Sequence, residues 1–224
     1  MQGKLIINRS TFLKKIGKEK SVLEIGVGDG HFLIACVRKG NFVKGLDISE
    51  AVIRRLKAML EKERLTAELK LGDARCLKFP DEVFDYVVSK DLIEHIPEED
   101  LQLHLREVWR VSKPNGCYLI WTPSRLLGPT SLGAHLKEYL LAEVLSETSK
   151  AGFKPVVMNF YIYALFRMIK NIPSSIISCL IKYENMLEKF FQRVRMRVQH
   201  PLLYLIVPPI CIAAYKKVIR ASSM

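Results

Sequence analysis

Residues 21–31 carry the feature that most constrains the fold, an apolar segment followed by three glycines at alternate positions. Residues 22–25 are mostly apolar and predict a short strand buried on both faces, as in the centre of a parallel sheet. Gly26, Gly28 and Gly30 then predict a loop that turns tightly and lets a ligand lie against bare backbone. The apolar run after them suits a helix, whose N-terminus favours a carboxylate or a phosphate. The stretch therefore predicts a ligand site at the edge of a sheet.

The spacing of the glycines distinguishes two kinds of nucleotide-binding loop. A dinucleotide-binding fingerprint has its third glycine one position later, where this chain has His31. This departure disfavours a nicotinamide-dependent dehydrogenase. A βα turn that binds nothing also carries glycines, so the loop alone leaves a purely structural turn open.

Strand and helix patterns alternate along the rest of the chain. Strands are predicted at residues 42–48, 67–71, 84–89, 117–121, 154–162 and 210–218. Helices are predicted at residues 10–16, directly after the glycine loop, after Ser49, after Pro97 and at residues 137–150. This alternation predicts the α/β class, with a doubly wound, Rossmann-like and mostly parallel sheet.

A single domain over residues 1–224 is the expected organisation, with residues 163–209 inserted as a helical unit before the last strand. The main helix of this unit would begin near Ser174, with apolar side chains on one side and charged ones on the other. Such a helix either packs against the sheet or lies on a lipid surface, and both alternatives stay open.

Side chains at the ends of two predicted strands suit an adenosine-containing ligand. Asp47 ends the second strand, seventeen residues beyond Gly30, and a carboxylate there accepts hydrogen bonds from both ribose hydroxyls. The neighbouring Ile48 offers an apolar face to an adenine ring. Asp73 and Ala74 follow the third strand and combine a carboxylate with a backbone N–H for the amino edge of adenine.

The fourth strand ends in Ser89 and Lys90, at the carboxyl edge where ligands of open sheets bind. Any one acidic residue at a strand end is explained equally well as a helix cap. Glu24, Asp47 and Asp73 lie at three such ends, and this combination favours a shared ligand.

The segment from Ser21 to Phe153 resembles the class I S-adenosylmethionine (SAM)-dependent methyltransferases of the small-molecule family often labelled type 11. The resemblance rests on the Glu24-x-Gly26-x-Gly28-x-Gly30 loop, residues 84–89, Glu94-His95-Ile96, residues 113–116 and residues 135–139. It implies the strand order 3-2-1-4-5-7-6 with an antiparallel seventh strand, and SAM as the cofactor. It also assigns the parts of SAM: the methionine to Glu24, Gly26, Gly28 and Gly30, the ribose to Asp47, and the adenine to Asp73 and Ala74.

Methyl transfer needs few catalytic groups, because the sulfonium already activates the methyl. A general base is useful when the acceptor is a hydroxyl, and His95 and His135 are the candidates. The structural alternatives are a helix-cap or core role for His95 and an orienting role in its loop for His135. The sequence suggests no metal site.

The net charge of +12 is unevenly distributed, since residues 151–224 alone carry a net +9. This basic third predicts an anionic partner, which is a membrane surface, an acidic substrate or a nucleic acid, or else it is a solvated face. The five cysteines show no paired spacing and predict reduced thiols. No signal-peptide core is recognised, so the expected location is cytoplasmic, with peripheral membrane contact through residues 163–209 as an option.

The leading functional hypothesis is methylation of an O, N or C atom of a small or lipid-like acceptor. A nucleic-acid methyltransferase is the second hypothesis. It is disfavoured because the fourth strand ends in Ser-Lys-Asp-Leu, and lacks the Asn/Asp-Pro-Pro-Tyr/Phe segment of base amino-methyltransferases. The third is a SAM-binding module without catalysis that associates with a membrane or a partner. The sequence does not specify the oligomeric state.

Overall fold

The computed structural model describes residues 12–125, 134–158 and 210–217, and the isolated positions 178, 182, 183 and 186. The strands are β1 Ser21–Ile25, β2 Phe42–Asp47, β3 Glu68–Leu71, β4 Phe84–Lys90, β5 Ser112–Thr122, β6 Phe153–Val157 and β7 Ile210–Lys216. The helices are α1, described over residues 12–16, α2 His31–Arg38, α3 Glu50–Lys62, α4 Leu101–Val111 and α5 Leu141–Lys150. Two 3₁₀ turns, Ile93–His95 and Glu98–Asp100, lie between β4 and α4.

The seven strands form one sheet in the order β3-β2-β1-β4-β5-β7-β6. β1 pairs in parallel with β2 on one side and with β4 on the other, which explains why its sequence is apolar on both faces. β7 is antiparallel to both β5 and β6. The predicted fold class, strand order and orientation of the last strand are confirmed.

Helices cover both faces of the sheet and divide the core into two layers. On one face, Phe12 of α1, Leu33 of α2 and Leu56 of α3 belong to one buried cluster. On the other, Val108 of α4 and Val144 of α5 belong to a second buried cluster. Alternate side chains of the central strands contribute to the two clusters, as expected for a doubly wound sheet.

β5 is longer than the sequence predicted, because it begins at Ser112 rather than at Cys117. Its pairing with β4 shifts between Phe84–Ser112 and Tyr86–Cys117, so the predicted Pro-Asn-Gly turn is an irregularity within the strand. Asn115 adopts a φ of 62° there, in the left-handed region that Asn tolerates.

α5 begins at Leu141, and the prediction that it starts at residue 137 was wrong. Tyr139 instead forms an isolated parallel bridge with Ser124, so the chain is extended just before the helix. The Glu143 carboxylate accepts a hydrogen bond of 2.7 Å from the Leu140 backbone N–H, which marks the helix start.

The inserted unit predicted for residues 163–209 lies outside the described residues, apart from the four isolated positions. The same holds for the helix predicted to begin near Ser174 and for the end of the sixth strand beyond residue 158. Among the described residues, no helix combines the length and the apolar character needed to cross a bilayer.

Candidate functional site

A cavity of about 650 Å³ opens where β1, β2, β3 and β4 end. Because these strands are parallel, their carboxyl ends lie at the same edge of the sheet. From β1, the chain order continues to β2 and β3 on one side and to β4 and β5 on the other, so the cavity lies at the point where the strand order reverses. The cavity is lined by residues 25–29, 46–48, 72–75, 90–92 and 95–97 and by Leu136. Each of the first four segments directly follows, or ends, one strand.

The glycine loop presents backbone to this cavity. Gly26 N donates to Leu46 O at 2.8 Å and Gly30 N donates to Val27 O at 2.8 Å, so the loop is tightly closed. All three glycines have positive φ, which favours glycine over any residue with a Cβ. A Cβ built on Gly28 would meet no heavy atom within 4 Å, so this glycine faces the open space of the cavity.

Asp47 is held at the mouth of the cavity by two backbone amides. Its Oδ2 accepts from Gly28 N at 3.3 Å and its Oδ1 accepts from Ser49 N at 2.9 Å. Ser49 in turn caps α3, because its hydroxyl accepts from Val52 N at 3.4 Å. The adjacent Ile48 is 73% exposed, which leaves an apolar surface available to a flat ring.

Asp73 carries an ion pair that the sequence did not predict. Arg75 donates to both of its carboxylate oxygens, at 2.6 to 3.0 Å, and also pairs with Asp100. Hydrogen bonds from Arg75 lower the pKa of the Asp73 carboxyl, so it stays ionised at neutral pH. Asp73, Ala74 and Arg75 together form the wall that follows β3.

The structure brings eight of the twelve predicted site residues to the cavity wall. These eight are Gly26, Gly28, Asp47, Ile48, Asp73, Ala74, Lys90 and His95. Glu24, Gly30, Ser89 and His135 are not on the wall. Glu24 is 1% exposed within β1, and a Cβ on Gly30 would lie 2.3 Å from Leu56 Cδ1, so both face the protein interior.

Ser89 belongs to a buried chain of hydrogen bonds that reaches the cavity from behind. His104 Nδ1 lies 2.8 Å from Ala74 O, and since a carbonyl only accepts, Nδ1 carries the proton. Nε2 then accepts from the Tyr118 hydroxyl at 3.0 Å, and Ser89 Oγ lies 2.6 Å from the same hydroxyl. Burial lowers the pKa of His104 to about 4, so the imidazole is neutral. This series of hydrogen bonds fixes the carbonyl of Ala74, which lines the cavity.

His95, which lines the cavity, is in contact with His135, which lies far from it in the sequence. Their rings are in edge-to-face contact with centroids 4.9 Å apart. Beside them, Glu94 is buried and its Oε2 accepts from Thr122 Oγ1 at 3.0 Å. Burial, with the nearby charges of Asp91 and Glu138, raises the pKa of Glu94 to about 8. Donor atoms of Glu94, His95 and His135 all lie within 4.8 Å of one another.

Several lining residues were not predicted as site residues. Leu92, Ile96, Pro97 and Leu136 add an apolar part to the cavity wall. Ile96 is part of the Glu94-His95-Ile96 motif, in which only His95 was predicted as a site residue. Leu136 had no such signal, because its position at the cavity follows from contacts between distant segments.

The arrangement suits a nucleoside with an additional charged group. An open backbone loop, an acidic residue for ribose hydroxyls and an exposed isoleucine occupy the same cavity. A volume of this size accommodates a cofactor of nucleoside size. The residues present therefore fit a SAM-like molecule.

The chain matches a family model described as a methyltransferase domain over residues 22–116. A "Probable S-adenosylmethionine-dependent methyltransferase" of Mycolicibacterium smegmatis is 31% identical over 140 residues, 60% of this chain and 52% of that protein. The ubiquinone biosynthesis O-methyltransferase of Coxiella burnetii is 31% identical over 108 residues, 48% of this chain and 45% of that protein. The chain thus spans about half the length of these two relatives.

A human relative matches over a larger share of both chains. The EEF1A lysine methyltransferase 2 of Homo sapiens is 31% identical over 158 residues, 65% of this chain and 67% of that protein. Among solved structures, the YcgJ protein of Bacillus subtilis superposes with a TM-score of 0.65, covering 95% of this chain and 99% of that one. At 17% identity this similarity supports the fold alone.

Proposed function

This chain belongs to the class I SAM-dependent methyltransferase family, and we propose that it transfers a methyl group from SAM to a small or lipid-like acceptor. The observation that carries this proposal is the position of Asp47. Its carboxylate is fixed by Gly28 N and Ser49 N between the glycine loop and the exposed Ile48. A ribose with its two hydroxyls at this carboxylate would have the adenine over Ile48 and the methionine along the loop.

The proposed placement of SAM uses all four strand ends. Asp73 and Ala74 are proposed to hold the adenine edge, while Gly26 and Gly28 approach the methionine part through bare backbone. Lys90 completes the wall on the opposite side of β1. Glu24, Gly30 and Ser89 are proposed to act indirectly, by shaping the loop and the strand ends that touch SAM.

Bound SAM supplies a methyl group that its sulfonium already activates toward an in-line nucleophile. The residues of the chain therefore have to align the acceptor and exclude water. Leu92, Ile96 and Leu136 form an apolar surface that does both. We propose His95 as the group that activates a hydroxyl acceptor, with His135 in edge-to-face contact behind it.

The acceptor class is proposed from the character of the rim. Leu136 is 65% exposed beside the cavity, and an exposed leucine favours an apolar acceptor over a highly charged one. The names of the relatives include both a ubiquinone and a lysine methyltransferase, so these names do not choose between acceptors. A nucleic-acid acceptor and a non-catalytic role in membrane or partner association are the alternatives that the experiments must exclude.

Calorimetry with SAM, S-adenosylhomocysteine and NAD tests the cofactor. We expect micromolar binding of the first two and none of NAD. Binding of NAD in place of SAM would overturn the cofactor assignment.

Radiolabelled SAM incubated with the protein and a cell extract tests the acceptor. After separation into lipid, small-molecule, protein and RNA fractions, we expect label in the lipid or small-molecule fraction. Label in RNA or protein alone would replace the proposed acceptor class. SAM binding with no label in any fraction would favour the non-catalytic role.

A further inference from the structure

We propose that Glu94, His95 and His135 form a binding site for a divalent transition-metal ion of the Zn²⁺ type. One donor atom from each residue lies within 4.8 Å of the other two. Donors bound to one tetrahedral Zn²⁺ at about 2.0–2.1 Å are roughly 3.4 Å apart, so side-chain shifts of about 1 Å would close the site. Two imidazoles and one carboxylate are a set that Zn²⁺ accepts and that Mg²⁺ and Ca²⁺ do not prefer.

The carboxylate of Glu94 supplies an independent reason to expect a cation. Glu94 is 0% exposed, and Thr122 Oγ1 donates to only one of its oxygens. The other oxygen, Oε1, is buried and has no hydrogen-bond partner among the described residues. A buried carboxyl oxygen without a partner is costly, and a cation that displaced the carboxyl proton and bound this oxygen would remove this cost.

Both histidines have a hydrogen-bond acceptor at Nδ1, as metal-binding histidines usually do. His95 Nδ1 lies 3.0 Å from Ala134 O, and His135 Nδ1 lies 2.7 Å from a carboxylate oxygen of Glu138. These acceptors place the proton of each ring on Nδ1, so Nε2 carries the lone pair that a metal needs. A carbonyl or carboxylate behind the ligating histidine is the usual outer-shell arrangement in metal sites.

Backbone contacts hold the two histidine-bearing segments together. Leu136 N and Lys137 N both donate to Glu94 O, at 2.8 and 3.2 Å. The segment containing His135 is therefore fixed on the turn containing Glu94 and His95 by bonds that do not involve the proposed ligands. Preorganisation of this kind lowers the cost of bringing three donors to one ion.

The consequence for catalysis, unlike the binding itself, rests on the proposed function. His95 lines the SAM cavity, so a cation here would lie beside the acceptor. It would activate a hydroxyl by coordination and lower its pKa, with His95 as a ligand rather than as the base.

The test is metal binding by the untagged chain, freed of metal with a chelator and then titrated with Zn²⁺. Calorimetry and elemental analysis after gel filtration should give one Zn²⁺ per chain. Glu94→Gln and His135→Ala should each weaken binding at least tenfold. His31→Ala, which removes an exposed histidine outside the group, is the matched control and should bind as the wild type does.

Co²⁺ in place of Zn²⁺ gives a second readout, because visible absorption bands report on tetrahedral nitrogen and oxygen ligands. Circular dichroism on every variant verifies that it is folded, and SAM calorimetry is measured separately. A folded wild-type protein that takes up no Zn²⁺, or folded Glu94→Gln and His135→Ala variants that titrate like the wild type, would overturn the metal site alone. Normal Zn²⁺ uptake without SAM binding would instead count against the proposed function.

Discussion

Asp47 combines two tasks that a substitution can separate. Its two oxygens accept from the amides of Gly28 and Ser49, and the proposed ligand uses the remaining lone pairs of the same oxygens. Because a carboxylate has about four acceptor positions, both tasks are compatible. Loss of the side chain would leave the ribose hydroxyls of the proposed ligand without their carboxylate partner.

We expect Asp47→Ala to weaken SAM binding by about 1–3 kcal/mol, or roughly 5- to 150-fold, measured by calorimetry. A SAM analogue without ribose hydroxyls separates ribose recognition from loop distortion, because it should bind wild type and variant with similar affinity. Asp81→Ala, at an exposed site of a different ion pair, is the control. Wild-type affinity in Asp47→Ala would mean that the ribose assignment is wrong.

His104 should make stability depend on pH below neutrality. Its pKa is about 4 in the folded chain and about 6.5 in the unfolded chain. Between these values the unfolded chain binds a proton that the folded chain does not, so stability is full above pH 6.5 and falls as the pH falls toward 4. The loss between pH 7 and pH 5 should be about 2 kcal/mol.

Urea unfolding at the two pH values measures this loss, and His104→Asn gives the comparison. Asparagine can still donate to Ala74 O but does not titrate, so the variant should lose about 2 kcal/mol less stability over the same range. An equal loss in both proteins would show that carboxylates elsewhere cause the pH dependence.

In the β1–α2 element, two glycines of the same loop have different surroundings. Gly28 faces open space in the cavity, whereas Gly30 faces Leu56 of α3. The same substitution at the two positions should therefore affect different properties, although both positions have positive φ.

Gly30→Ala should destabilise the protein by about 2–4 kcal/mol, because its Cβ would overlap Leu56 and the backbone would be strained. Gly28→Ala should cost only about 1–2 kcal/mol in backbone strain but weaken SAM binding at least tenfold, since its methyl would stand where the ligand approaches. Urea unfolding and calorimetry on both variants measure these effects. A larger stability loss at Gly28, with unchanged SAM affinity, would contradict the proposed division.

The elements that the sequence predicted are those whose signals are local. β1, β2 and β4 are short, mostly apolar runs bounded by turns, and the strand-end position of Asp47 follows directly from β2. α5 was placed four residues too early because residues 137–140 have helical propensity. The pairing of Tyr139 with Ser124 keeps the chain extended there, and no local pattern encodes that contact.

The parts of the site that the sequence missed depend on long-range contacts. His104 was an ordinary residue of a predicted helix, yet it fixes Ala74 O across 30 positions of the chain. His95 and His135 were proposed separately, and only the backbone contacts to Glu94 O bring them together. Residue type and spacing identify the strand ends that line the cavity. Which side chains lie behind those strand ends depends on how α4 and residues 134–140 pack, and the sequence does not show this.

At the scale of the whole molecule, β6 and β7 form the edge of the sheet far from the glycine loop. The chain between them is the basic part of the sequence, with seven Lys and Arg against two Glu in residues 163–209. The two strands are antiparallel neighbours, and Met158 N donates to Cys211 O at 2.8 Å where one strand ends and the other begins. Residues 158 and 210 are therefore close enough for a short connection.

Replacing residues 163–209 with about four Gly and Ser residues tests whether this segment contributes to binding of the acceptor or of a membrane and not to binding of SAM. SAM affinity should stay within about twofold of the full chain, because no described residue of the cavity belongs to the segment. The full chain should co-sediment with vesicles containing an anionic lipid and dissociate at high salt, and the shortened chain should not co-sediment. Vesicles of neutral lipid are the control for charge.

If the shortened chain no longer bound SAM, the segment would belong to the cofactor site. Equal sedimentation of both chains would remove the membrane partner from the proposal.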